Sequence, residues 1–138
     1  MRAVLDANVL MSALLSPEGP PARLIRAWRS GAFELVVSPL LLTELHRALS
    51  YPKLRRLVTA KEGDAFVALL GREAVMVSDP AISPPVRSTD PNDDYLLVLA
   101  AAEQAVIVTG AKDLPALADR APIHAPTAFL AILGRSTD

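Results

Sequence analysis

Six carboxylates, Asp6, Glu44, Asp90, Asp93, Asp94 and Asp113, fall in four short segments of this 138-residue chain. Each segment lies beside the end of an apolar run or near the opening of a helical pattern. Carboxylates brought together repel one another, and leaving the charges uncompensated is costly. A hard divalent cation with oxygen ligands resolves that conflict. Bound there, Mg²⁺ or Mn²⁺ would polarise a phosphate and acidify a water for in-line attack. The chain has no cysteine and two histidines, which the sequence places away from these motifs, so a hard cation is favoured over zinc.

Each acid also has a plainer use. Asp is common in turns at strand ends, which covers Asp6 and Asp113. Asp90 precedes Pro91, the pattern of a helix N-cap, and Asp93 and Asp94 would sit in a first turn, where negative charge suits the helix dipole. Glu44 resists such a reading, because it flanks an apolar stripe made by Leu41 and Leu45. Only the convergence of all four segments argues for chemistry, so the elements that position them decide the matter.

Ala3 to Leu5 reads as a buried strand ending at Asp6. An apolar helix over residues 9–15 closes in a loop at residues 16–21. An amphipathic helix over residues 22–30 follows, with Gly31 as its stop. Residues 34–37 form a second strand. Ser38-Pro39 starts a helix by a side-chain cap and a proline that forfeits no hydrogen bond, and Pro52 ends it. Thr59 and Glu62 match a capping box opening a further helix. Residues 75–77 are a weak strand, residues 79–91 a proline-rich loop, and residues 92–104 a helix. Strands at 106–108 and 123–124, a short helix at 115–118 and a last helix at 127–133 complete the pattern. Uniformly apolar strands alternating with helices indicate a parallel sheet covered on both faces. The expected fold is a three-layer α/β/α sandwich of about four to five parallel strands, forming a single domain over residues 1–138. In such a sheet, ligands bind outside the carboxyl ends of the strands. Asp6, Glu44, the Asp90–Asp94 group and Asp113 are all expected at that edge.

Composition bounds the alternatives. Without cysteine there is no disulfide, thiolate zinc site or cysteine nucleophile. Aromatics make up 4% of the chain, against extensive base stacking, and the net charge of −1 gives no global attraction to nucleic acid. The longest apolar run, residues 96–102, falls well short of the ~20 residues needed to span a bilayer. The N-terminus carries Asp6 and Asn8 where a signal peptide would be apolar. A cytoplasmic protein, without membrane association, is the expectation.

Three strings taken in order resemble the motifs of PIN-domain nucleases, particularly the toxin components of toxin–antitoxin pairs (VapC-like). VLDANVLMSAL (residues 4–14) looks like the first, with Asp6 as metal ligand and Asn8 and Ser12 as supporting polar groups. VVSPLLLTEL (residues 36–45) resembles the second, with Glu44 as the next acid. DPNDDYLLVLA (residues 90–100) resembles the third; spacing to Thr109 favours Asp93, the alanine pattern favours Asp94, and both stand. The fourth departs: where the family usually has Asp or Asn two residues after the strand-closing Thr, this chain has Ala111, with Asp113 nearby. The resemblance covers nearly the whole chain. It implies Mg²⁺- or Mn²⁺-dependent cleavage of single-stranded RNA, homodimerisation and a small antitoxin partner.

Arg47, Lys53, Arg55 and Arg56 form a basic cluster expected near the site edge, suited to positioning an RNA backbone. Two other classes compete with the nuclease. One is a PIN-like binding module weakened in chemistry by Ala111. The other is a phosphoryl-accepting receiver plan, for which the sequence offers only Asp79 as phosphoacceptor at a middle strand.

Overall fold

The structure, a computed structural model, describes the backbone of residues 1–79, 94–110 and 123–136. The chain order is β1 (Arg2–Leu5), α1 (Ala7–Leu15), α2 (Pro20–Arg29), β2 (Glu34–Val37), α3 (Pro39–Leu49), α4 (Pro52–Arg55), α5 (Ala60–Glu73), β3 (Val75–Met76), α6 (Asp94–Glu103), β4 (Val106–Val108), β5 (Ile123–His124) and α7 (Pro126–Ser136). All strand pairings are parallel, in the order β3-β2-β1-β4-β5. Ala3, Val4 and Leu5 of β1 and Leu35, Val36 and Val37 of β2 are fully buried, as strands covered on both faces must be.

Strand order sets the layers. From β1 the chain steps outward to β2 and then β3, so right-handed crossovers put α1 to α5 on one face. It then returns past β1 to β4, which reverses direction and puts α6 on the opposite face, against β1 and β4. α7 packs on α2 and so joins the first layer. The reversal falls between β1 and β4, the topological switch point where α/β sheets open a crevice.

Local rules account for most boundaries. Ser38 caps α3 by accepting from the Leu41 N–H at 3.3 Å, with Pro39 at the first position. The Thr59–Glu62 capping box forms in both directions, and its donors hold the Glu62 carboxyl below the usual range. Gly31 takes φ +90 after α2. Its N–H donates to the Trp28 carbonyl and the Ala32 N–H to that of Ala27, closing the helix in a Schellman turn.

Three details depart from expectation. α2 begins at Pro20 within the stretch read as loop, because prolines in a first turn surrender only N–H groups that have no helical partner. α3 stops at Leu49, ahead of Pro52, and Pro52 instead opens the one-turn α4. β3 pairs only two residues, and the geometry of α5 explains why. A Cβ on Gly63 would stand 3.5 Å from Leu49, and one on Gly71 3.7 Å from Leu42, so α5 runs antiparallel to α3. It climbs back toward the carboxyl edge and leaves little strand to pair. The helix expected at 115–118 lies outside the described residues.

Candidate active site

Asp6 is the first residue beyond β1, at the switch point. Its N–H donates to the Val108 carbonyl at 3.1 Å, tying it to the end of β4. Its side chain caps α1, Oδ1 accepting from the Val9 N–H at 2.8 Å. The other oxygen, Oδ2, accepts from the Thr109 hydroxyl. Thr109 is itself fully buried, and its N–H donates to the His124 carbonyl at 3.0 Å, so β5 fixes the residue that fixes Asp6.

A carboxylate with 6% exposure is unusual. Burial pushes the Asp6 carboxyl above its ordinary range; donors on Thr109, Val9 and Asn8 pull it part of the way back, and the negative charge of Glu44 pushes it up again. Glu44 therefore lies near enough to act on Asp6 electrostatically. It reaches this position because α3 starts at the carboxyl edge, buries Leu41 and Leu45, and packs on α1. Glu44, flanking that stripe, is half-buried. Asp79, beyond β3, reinforces the start of α3 by accepting from the Leu40 N–H at 3.0 Å.

The other expected site residues divide. Asn8 is exposed in the first turn of α1, and Ser12, one turn on along the same face, is half-buried. Asp94 opens α6, which precedes β4 and packs against β1 and β4, so its backbone stands at the same edge. Asp90, Asp93, Ala111 and Asp113 lie outside the described residues. Among the described residues no group of three or more metal-ligating side chains assembles; Asp6 and Glu44 form a pair. The pair fits a divalent cation: a buried carboxylate and a second acid, oxygen donors only, with no basic group among the described residues that shift Asp6.

Arg47 lies one turn after Glu44, but the rest of the basic cluster does not reach this edge. α3 carries the chain away from it for 11 residues, about 16 Å. Lys53, Arg55 and Arg56 therefore stand at the far tip of the α3–α5 hairpin, with Arg47 one turn short of it. The receiver plan also fails on topology: Asp79 follows the edge strand, its carboxylate is engaged at α3, and the strand order differs from the 2-1-3-4-5 of receiver-type sheets. Both histidines are closer to the motifs than the sequence reading has them. His46 pairs with Asp64 at 3.1 Å two residues after Glu44, and the main chain of His124 holds Thr109. The register that brings His124 opposite Val108 has no local signature.

Comparison with known proteins gives a consistent picture. A model of the PIN domain family matches residues 2–113. An uncharacterized protein of Methanocaldococcus jannaschii, MJ1680, is 30% identical over 122 residues, 86% of this chain and 76% of that protein. Among solved structures, PAE2754 from Pyrobaculum aerophilum has a TM-score of 0.68 at 18% identity, covering 98% of this chain and 90% of that one. VapBC2 from Rickettsia felis, bound to a DNA fragment from their promoter, has a TM-score of 0.59 at 16% identity, covering 90% of this chain and 97% of that one. At such identities the two structural likenesses speak to the fold.

Proposed function

Because the chain belongs to the PIN domain family, we propose that it is a metal-dependent nuclease that cleaves single-stranded RNA as the toxin of a toxin–antitoxin pair. The observation that supports this most is the buried Asp6 carboxylate at the carboxyl end of β1, held by Val9 and Thr109 and within electrostatic reach of Glu44. In this reading Asp6 and Glu44 hold Mg²⁺ or Mn²⁺, with Asp93, Asp94 and Asp113 as the further acids available to complete the set. When bound, the cation would polarise the scissile phosphate and lower the pKa of a water.

The chain's own residues prepare that site. The Thr109 hydroxyl and the Val9 N–H each hold one oxygen of Asp6, so its remaining lone pairs have a fixed direction. Glu44 is carried on a helix capped by both Ser38 and Asp79, which fixes its height above the sheet. Asn8 and Ser12 offer polar groups along the α1 face for substrate or water. The likeness to VapBC2 favours an antitoxin partner, and the resemblance of the sequence motifs favours a homodimer. One domain acting in the cytoplasm completes the proposal; among the described residues no helix is long and apolar enough to cross a membrane.

Chelation tests the reading directly. EDTA is expected to remove all cleavage of single-stranded RNA, and Mn²⁺ or Mg²⁺ to restore it. In parallel, calorimetry should find Mn²⁺ binding that weakens about tenfold or more in Glu44→Gln. Cleavage that survives chelation would overturn the proposal.

Ala111 favours a second reading, a PIN-like module that binds RNA or protein with little chemistry. Ala111→Asp separates the two. A rate gain of at least tenfold identifies an enzyme short of one acid. No gain, together with no measurable Mn²⁺ binding, identifies the module.

A further inference from the structure

The tip of the α3–α5 hairpin carries a surface that the carboxylate site does not use. Between Arg47 and Lys61 the chain has five cations, Arg47, Lys53, Arg55, Arg56 and Lys61, and no acid, although its net charge is −1. Arg47, Lys53, Arg56 and Lys61 are exposed, while Arg55 is half-buried and donates to the Ser50 hydroxyl at 3.3 Å. Tyr51 stands 58% exposed beside them. A buried core explains none of this. The charge is concentrated at one end of the hairpin, where the bordering acids Glu62 and Asp64 are engaged with Thr59 and His46, and an exposed aromatic ring is set within it.

We propose that this tip is a second contact surface for single-stranded RNA, engaged by a strand whose scissile phosphate lies at Asp6. The inference rests on the nuclease reading for the position of that phosphate. Exposed cations neutralise phosphates without regard to sequence. One exposed ring provides one base stack, which is consistent with a chain poor in aromatics. A single tyrosine among cations suits a polyanion with flat bases better than an acidic protein surface, which needs a broad apolar centre. The separation sets a length requirement: from Glu44 to Tyr51 is seven residues, about 10 Å, or about three stacked nucleotides at 3.4 Å each. Shorter strands reach the carboxylates or the tip, not both.

The test uses the full chain carrying Asp6→Asn in EDTA, so that RNA is bound without being cut. Fluorescence anisotropy measures the affinity of mixed-sequence RNA of two and of twelve nucleotides across a salt series. The twelve-mer should bind more tightly, and Tyr51→Ala should weaken it about tenfold while Tyr51→Phe restores it. Lys53→Glu with Arg56→Glu should lower the salt slope by about 1.4, near 0.7 per lost phosphate contact. Both changes should collapse the twelve-mer advantage toward one. Equal twelve-mer affinity in all variants, or an unchanged salt slope, overturns the proposal. Because no cleavage is measured, a tip that binds RNA on a chain that never cuts would overturn the nuclease reading instead.

Discussion

Asp6→Asn is expected to lower RNA cleavage by a factor of at least a thousand, about 4 kcal/mol of transition-state stabilisation. The same change should make the metal-free protein more stable at neutral pH. Asparagine is nearly isosteric and can still accept from the Val9 N–H, so α1 keeps its cap. It removes a charge that burial and Glu44 both oppose. The Asp6 carboxyl has its pKa raised in the folded chain, so its favourable contribution is complete below the unfolded value and is lost as pH rises through the folded one. The melting-temperature advantage of Asp6→Asn over the parent should therefore be near zero around pH 3.5 and grow toward pH 7.

Excess Mn²⁺ should reverse the order. Ligand at a hundred times its dissociation constant stabilises a folded state by about 2.7 kcal/mol, and only the parent can gain it. Thermal melts at several pH values, with and without metal, check both halves. An Asp6→Asn protein that melts below the metal-free parent at pH 7 would mean that the carboxylate is a structural cap and no more. The pattern proposed is a trade of stability for chemistry, as expected where a site is built around a destabilising group.

Phe129→Ala should cost about 3–5 kcal/mol of folding stability, a large part of the 5–15 kcal/mol typical of a domain. Phe129 is fully buried on α7. It meets Phe33 edge-on at 5.2 Å and 78°, and lies nearly parallel to His124 at 6.3 Å and 19°. It thus joins the C-terminal helix to the segment entering β2 and to β5. Truncation leaves a cavity where three elements meet, and close packing allows little collapse into it. Denaturant melts should give a lower midpoint at an unchanged slope. Hydrogen exchange adds a second readout, because the Thr109 N–H depends on the His124 carbonyl. That amide should lose protection in Phe129→Ala before the amides of β1. A cost under about 1 kcal/mol would show that α7 contributes little to the core.

The two variants connect at Thr109. Asp6 is oriented by a hydroxyl 103 residues away, and that hydroxyl is held by a strand whose backing is an aromatic pair. Stability of the C-terminal layer and orientation of the candidate ligand are therefore linked, although no side chain of that layer touches Asp6 among the hydrogen bonds that hold it.

Local rules made much of this readable from residues alone. Continuous apolar runs marked β1, β2 and β4, since a strand buried on both faces has no polar side to alternate with. Ser38-Pro39 and Thr59–Glu62 marked two helix starts, and Gly31 one helix end, because caps satisfy backbone groups within a few residues. The rule that parallel sheets bind at their carboxyl edge then gathered Asp6, Glu44 and the opening of α6 without any distance being known.

Tertiary structure decided what depends on pairing between remote segments. The placing of β4 beside β1 creates the switch point, and the register of β5 against β4 brings His124 to Thr109. The run of α3 carries Lys53, Arg55 and Arg56 beyond the helix end remote from Asp6, and the antiparallel return of α5 shortens β3 to two residues. Asp79, a weak phosphoacceptor candidate by sequence, becomes a second cap for α3. Periodicity and caps are written in neighbouring residues, whereas strand order and register come from the summed burial of distant ones. No short window of sequence contains that sum.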